Sequence, residues 1–279
     1  MSGTLYIVAT PIGNLEDITL RALRILRSVD LVAAEDTRRT KRLLSHYGIS
    51  TYASSFHAHN VRTRLPQLLK RLQDGGSIAV VSDAGTPGIS DPGTEIIQAC
   101  ITTEIPIEVL PGPNAPLTAL VLSGFPNEGT TFLGFPPSRG NARKKWFIFL
   151  SQLDKTVIAF EAPHRIKNFL KQLSDFLGNR PIVVCRELTK LHQEVLRGSA
   201  QDILKQLKTI KGEFTVVIGP LDTNLKSNKP LITVDKILIE IGRLTKNSGL
   251  GRREAIRNLA KKYNLRSNEL YKLIEESKK

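Results

Sequence analysis

Short apolar, β-branched runs alternate with amphipathic helical stretches through residues 1–115. TLYIVAT (4–10), LVAAED (31–36), SIAVVSD (77–83) and IEVLPG (107–112) read as strands. Between them, DITLRALRILRSVD, TRRTKRLLSHYG, VRTRLPQLLKRLQDGG and TEIIQACITTE carry apolar residues at helical spacing. Asp17 is placed to cap the first helix and Gly48 to close the second; Pro66 either kinks the third or begins its main body. Such alternation builds a parallel or mostly parallel sheet with helices on its faces. In these sheets ligands bind beyond the carboxyl ends of the strands. Three strands leave through loops of one character: ATPIGN, VSDAGTPGISDPG and LPGPNAP. The middle loop is far longer than the about two to five residues of a simple turn. Glycine lets backbone approach a ligand and proline stiffens the loop. The three exits are therefore expected to meet at one crevice.

A second unit follows. FLGFPPSRGNARKKWFIFL mixes a strand, a basic loop and a helix, and TVIAFEAPHR, PIVVCREL and EFTVVIGP read as strands. Hairpin-like spacing around 182–197, with EVLRG as an edge strand, predicts a mixed sheet. DTNLKSNKP (222–230) breaks the periodicity and reads as a linker. Beyond it, VDKILIEIGRL, RREAIRNLAKKY and SNELYKLIEES read as short helices joined by polar turns, like a helix-turn-helix unit. At roughly 100–200 residues per domain, 279 residues suit an α/β, two-domain fold with a small helical appendage. The boundaries are 1–116 for the first α/β domain, 117–222 for the second and 223–279 for the tail.

Charge narrows the partners. The chain carries a formal net charge of +14, of which residues 225–279 supply +8. That balance favours polyanions, nucleic acid above all. Several chemistries are excluded by motif. No G-x-G-x-x-G follows the first strand, and neither a Walker A loop, a G-x-S-x-G elbow nor the H-x-E with P-C-x-x-C of zinc deaminases occurs. His57 and His59 have no acid or cysteine cluster at ligand spacing, so no metal is expected. Cys100 and Cys185 stand alone among apolar neighbours, as free thiols do in a reducing cytoplasm. No basic leader with a long apolar core opens the chain, and no run approaches about 18 apolar residues. The expectation is a soluble cytoplasmic protein with no membrane partner.

Seven motifs occur in order: TPIGN (10–14), AAEDTRRT (33–40), VSDAGTPGISDPG (81–93), LPGPNA (110–115), EAPHR (161–165), CRELTK (185–190) and GEFTVVIGP (212–220). Together they closely resemble the ribosomal RNA small subunit methyltransferase I family, of the tetrapyrrole-methylase-like, class III S-adenosylmethionine methyltransferases. The resemblance implies a two-domain class III fold, S-adenosyl-L-methionine in the cleft between the domains, and a homodimer. It implies 2′-O-methylation of cytidine 1402 of 16S rRNA in the small ribosomal subunit. The cofactor contacts it implies are Pro11, Asp83, Ala84, Gly85, Ile89, Ser90, Asn114 and Ala115, with Phe160, Glu161, Leu188, Phe214 and Thr215 from the second domain.

The residues leave the base open. Glu35, Asp36, Asp91, Glu161, His164 and Glu187 can each accept a hydroxyl proton. Asp91, Glu187 and Glu161 are the catalytic candidates, and Asp91 stands in the loop proposed to line the cofactor. For RNA, Arg38, Arg39, Lys41 and Arg42 form one basic face, and Arg139, Arg143, Lys144 and Lys145 another beside Trp146, which either stacks on a base or fills the core. His164, Arg165, Arg186 and Lys190 are expected near the cleft, and the tail offers Arg252, Arg253, Arg257, Lys261 and Lys262. Two alternatives remain: a tetrapyrrole or corrinoid methylase on the same scaffold, and a non-catalytic RNA-binding assembly factor.

Overall fold

The computed structural model describes residues 2–221, 240–241, 244–245 and 251–262. The chain forms two compact units, Met1–Leu221 and Asp222–Lys279.

The first unit holds two five-stranded sheets. The first contains β1 (Leu5–Val8), β2 (Leu31–Ala34), β3 (Ala53–Ser55), β4 (Ile78–Val81) and β5 (Ile107–Leu110), all parallel, in the order β3-β2-β4-β1-β5. Its helices are α1 (Leu20–Ser28), α2 (Thr37–His46), α3 (Val61–Gln73) and α4 (Thr94–Thr102). Strand side chains alternate between two cores. Val8, Val32, Ala34, Ala79, Val81 and Leu110 meet α1 and α2, while Leu5, Ile7, Leu31, Ile78 and Val80 meet α3 and α4. Burial on both faces is why β1, β2 and β4 read as unbroken apolar runs. β3 has no β-branched or aromatic residue, so its sequence gives no strand signal.

Two local expectations are corrected. Thr19, not Asp17, caps α1: its hydroxyl accepts the Ala22 N–H at 3.1 Å. Asp17 instead closes a short 3-10 turn, Leu15–Asp17. Pro66 does not begin the third helix, which starts at Val61 and runs through it.

The second sheet contains β6 (Thr131–Phe132), β7 (Val157–Glu161), β8 (Ile182–Arg186), β9 (Glu194–Gly198) and β10 (Phe214–Ile218), in the order β6-β7-β10-β8-β9. Only β6 and β7 pair in parallel, so the sheet is mixed. The helices here are α5 (Ala115–Ser123), α6 (Gly140–Gln152), α7 (Ile166–Leu177) and α8 (Ala200–Gln206). The period of two along β10 sorts its faces. Phe214, Val216 and Ile218 join the core under α6, α7 and α8. Val217 faces the other way and meets Ile12, Ala119 and Leu188, with Ala84 and Ala115 against them. That second core is the seam between the two lobes. The boundary expected after residue 116 falls in the first turn of α5, which packs on β7 and β10.

In the second unit, α9 (Arg252–Lys262) buries Ala255, Ile256, Leu259 and Ala260 and exposes Arg253 and Arg257. The helices expected over 234–244 and 267–277 lie mostly or wholly outside the described residues.

Gly13 marks where the first lobe's loop meets the second. A methyl there would lie 2.7 Å from the Leu188 carbonyl oxygen, closer than packed atoms allow. Gly13→Ala is expected to lower stability by about 1–3 kcal/mol, read as a drop in the urea midpoint. An unchanged midpoint would contradict so tight a seam.

Candidate active site

Parallel β1, β4 and β5 are neighbours, so their carboxyl ends open on the same side. The loop after β1 is tied to the loop after β4 by two backbone hydrogen bonds. Thr10 N–H donates to Gly85 O at 2.9 Å, and Gly85 N–H to Thr10 O at 3.0 Å. Gly85 has φ +82°, a conformation that favours glycine. Its backbone polar groups are therefore engaged within the protein, where a ligand-cradling glycine would present them outward. After β5, Asn114 caps α5, its side-chain oxygen accepting the Leu117 N–H at 3.0 Å. Across the seam, Gly134 and Ser90 approach so closely that a methyl on Gly134 would stand 3.1 Å from the Ser90 hydroxyl.

These loops enclose a cavity of about 390 Å³. One wall is Ile12, the 83–91 loop and residues 114–116; the other is Phe135, Phe160–Pro163 and Gly212–Thr215. Phe160 and Thr215 are register partners on β7 and β10. Phe135, 53% exposed, leans on Phe160 with ring centres 5.2 Å apart. The volume and mixed lining suit an organic ligand of cofactor size.

The cavity is acidic although the chain is strongly basic. Glu35, Asp83, Asp91, Glu161 and Glu213 line it, and Arg39 is the one cation among the described lining residues. Asp83 is anchored: one oxygen accepts the Asp36 N–H at 3.0 Å, the other stands 3.4 Å from Arg39, and its own N–H donates to Glu35 at 3.2 Å. Burial, joined by the charge of Glu35, pushes the Asp91 carboxyl up to about 7; Asp83 and Glu213 add to this and the Ser82 hydroxyl opposes it. A carboxyl titrating near neutrality exists in both forms at working pH, as a proton acceptor must.

The other base candidates are differently placed. Glu161 is fully buried, and its oxygens accept bonds from Arg143 at 3.0 Å, Arg165 at 2.8 Å and the Ala162 N–H at 2.8 Å. It reaches the cavity as the centre of an ion cluster, with both oxygens engaged. Glu187 does not line the cavity. It sits at φ +53° and gathers the Lys190 ammonium at 2.8 Å and the Glu213 N–H at 2.9 Å. Burial alone would raise its carboxyl; those two bonds, with the charges of Lys190 and Arg186, together outweigh it and hold the group lowered.

Of the expected cofactor residues, Asp83, Ala84, Gly85, Ile89, Ser90, Asn114, Ala115, Phe160, Glu161, Phe214 and Thr215 line the cavity. Pro11 lines a smaller neighbouring cavity, and Leu188 is buried in the seam. Phe135, Thr86, Gly212 and Glu213 also line the main cavity, beyond the residues that the sequence motifs point to as cofactor contacts. Of these only Glu213 carries a signal as a charged side chain, within the GEF motif.

The expected RNA contacts divide in the same way. Lys41, Arg42, Arg139, Lys144, Lys145 and His164 are exposed. Arg143 is not part of that surface; it is buried against Glu161. Trp146 packs on Phe147 and Phe169, which assigns it to the core. Arg165 is engaged by Glu161, Arg186 by Glu194 at 2.9 Å, and Lys190 by Glu187 and Glu213. Arg38 is exposed but grips Asp36 at 2.7 Å, and this bond holds the Asp36 carboxyl far below its usual value. Arg253 and Arg257 are exposed on α9; the side chain of Arg252 lies outside the described ones.

The raised Asp91 carboxyl keeps a proton in the folded state that the unfolded chain loses near pH 3.8. Its contribution to stability is full below that pH and is lost as pH rises through about 7. Asp91→Asn should therefore gain stability relative to wild type between about pH 5 and pH 8, measured by urea midpoints. A gap equal at both pH values would contradict the shift. Glu161→Ala would leave the buried Arg143 and the half-buried Arg165 without their carboxylate and should cost about 3–5 kcal/mol. An unchanged urea midpoint would show that the cluster holds nothing together.

Comparison with known proteins agrees with this architecture. The family model of the tetrapyrrole (corrin/porphyrin) methylases matches residues 4–204. A protein of Halalkalibacterium halodurans named ribosomal RNA small subunit methyltransferase I is 46% identical over 77% of this chain and 75% of its own. One of the same name from Synechocystis is 43% identical over 98% of both chains. Among solved structures, uroporphyrin-III-C-methyltransferase from Thermus thermophilus superposes with a TM-score of 0.56 at 19% identity, covering 78% of this chain and 94% of that one. At that identity the likeness concerns the fold alone. A parallel five-stranded lobe, a mixed five-stranded lobe and a cavity between them, together with these matches, place the chain in the tetrapyrrole methylase family, among the ribosomal RNA small subunit methyltransferases I.

Proposed function

We propose that the chain methylates 16S rRNA in the small ribosomal subunit, at the ribose 2′-hydroxyl of cytidine 1402, with S-adenosyl-L-methionine as methyl donor. The observation that carries the reading is the acidic cavity in a chain of net charge +14. The donor's ammonium and sulfonium groups suit that cavity, and its adenosine suits the apolar wall of Phe135, Phe160 and Ile89. When bound, the donor supplies the electrophilic methyl group and the sulfide that leaves.

The chain's own residues do the rest. Asp83, fixed by the Asp36 N–H, and Glu35 present negative charge toward the donor's cations. Asp91 is the group suited to take the hydroxyl proton, since its carboxyl titrates near neutrality. Phe135 and the Ser90–Gly134 approach narrow the cavity and limit water. The exposed cations Arg39, Lys41 and Arg42 on α2 and Arg139, Lys144 and Lys145 at α6 offer contacts to phosphate. Relatives carrying the ribosomal RNA methyltransferase name stand at 39–46% identity, whereas two tetrapyrrole-pathway methyltransferases of known structure stand at 18–19%. This supports RNA over a corrinoid as substrate. The reading includes a cytoplasmic homodimer. The edge strand β5 leaves Val109 exposed, and α5 leaves Leu117 and Val121 exposed one turn apart, apolar side chains that a second copy would cover.

Tritium transfer from labelled S-adenosylmethionine to unmethylated small subunits, free 16S rRNA and a precorrin mixture tests the reading. Label in a 2′-O-methylcytidine of the subunit or rRNA is expected; label in the precorrins alone would overturn it. Neutralising Arg252, Arg253 and Arg257 together should weaken RNA binding. It should also reduce the slope of log affinity against log salt by about 0.7–0.9 for each phosphate no longer neutralised. An unchanged slope would remove the tail from the RNA interface.

A further inference from the structure

A cavity of about 190 Å³ shares Arg39 and Asp83 with the main one. It is lined also by Pro11, Thr40, Arg42 and Ser82. Its volume lies below the roughly 300–1,000 Å³ of sites for whole organic ligands. Its charged lining is two guanidiniums and a single carboxylate, Asp83. Arg42 is exposed and has no carboxylate partner among the described residues. A small anion with two or more acceptor oxygens suits such a site, and a phosphodiester of the RNA backbone is the one the proposed substrate supplies.

The carboxylate that would repel this anion is the one that faces the main cavity. Asp83 is held in place by the Asp36 N–H at 3.0 Å. Among the described residues the one ion-pair partner of Arg39 is Asp83, at 3.4 Å, with the Arg39 side chain 59% exposed. An ion pair so long and so exposed is weak, so of the two partners Arg39 is the one free to move. A cation arriving in the main cavity competes with Arg39 for Asp83. Once released, the Arg39 guanidinium can turn to the smaller cavity and join Arg42 there, while the same cation neutralises Asp83.

We propose that the smaller cavity is a phosphodiester subsite for RNA, and that Arg39 moves from Asp83 to that phosphate when the cationic methyl donor binds. Donor and RNA then bind cooperatively, and by linkage each raises the other's affinity by the same factor. The proposal rests on the function proposed above. It goes further in assigning one phosphate site and a reciprocal coupling between donor and RNA through Arg39.

The test uses the full chain, unmethylated small ribosomal subunits, and sinefungin, an unreactive donor analogue that keeps both positive charges. Saturating sinefungin should lower the wild-type Kd for subunits about fivefold or more, the usual size of such coupling. Arg39→Ala should bind subunits more weakly and show no response to sinefungin. Arg42→Ala should bind more weakly, keep the response, and show a salt slope smaller by about one unit. Asp83→Asn, which releases Arg39 permanently, should bind subunits without sinefungin nearly as wild type does with it. A wild-type Kd indifferent to sinefungin, or an Arg39→Ala variant that still responds, overturns the switch. An unchanged salt slope in Arg42→Ala overturns the phosphate site. Sinefungin binding by calorimetry and methyl transfer to rRNA, measured on the same preparation, separate the two levels. If either fails, the functional reading fails and the proposal with it; if both succeed without coupling, the switch alone is overturned.

Discussion

Neighbouring parallel strands bring their carboxyl ends to the same edge of a sheet, and in the lobe built on β1, β4 and β5 that edge is where the exits after all three must go. The double hydrogen bond between Thr10 and Gly85 joins two of those exits, and the Asn114 cap fixes the third. The apolar seam of Ile12, Ala119, Leu188 and Val217 then lays the mixed sheet against them. Period-two alternation on β7 and β10 aims Phe160 and Thr215 at the exits while Phe214 anchors the core behind. The cavity is a consequence of strand direction, one backbone bridge and one apolar contact layer.

Electrostatics divides the molecule by depth. Cations dominate the exposed faces of α2 and α9, while carboxylates dominate the cavity. The two arrangements serve opposite charges, polyanion outside and cationic donor within. Arg39 and Asp83 stand where the regions meet, belonging to both cavities. The Glu161 cluster with Arg143 and Arg165 meets the main cavity only through Glu161, whose oxygens are both engaged. It satisfies a buried carboxylate beside the site, and its worth is positional.

The alternation of apolar runs and amphipathic stretches makes the parallel lobe legible in the sequence, and the spacing around 182–197 does the same for the mixed lobe. β3 is invisible there because Ala53–Ser55 is held as a strand by its neighbour β2, not by its own propensity. The loop residues 83–91 and 114–115 are readable because glycine, proline and capping residues declare themselves locally. The fates of Arg143 and Arg186 are not, since each depends on a carboxylate brought near by the fold, as Glu161 is brought to Arg143, whereas Arg165 and Lys190 meet Glu161 and Glu187 four and three residues away. Phe135 escapes for the same reason: one aromatic in a loop carries no pattern, and only its lean on Phe160 brings it to the cavity.

Everything proposed for the chemistry turns on whether the cavity between the lobes receives the methyl donor. Amide hydrogen exchange with and without S-adenosylhomocysteine measures this directly, since bound ligand slows exchange where it orders backbone. Slowing is predicted together in residues 83–91, 112–116, 160–163 and 212–215, from both walls of the cavity. Slowing in one lobe alone, or none in any of these segments at saturating ligand, would contradict it.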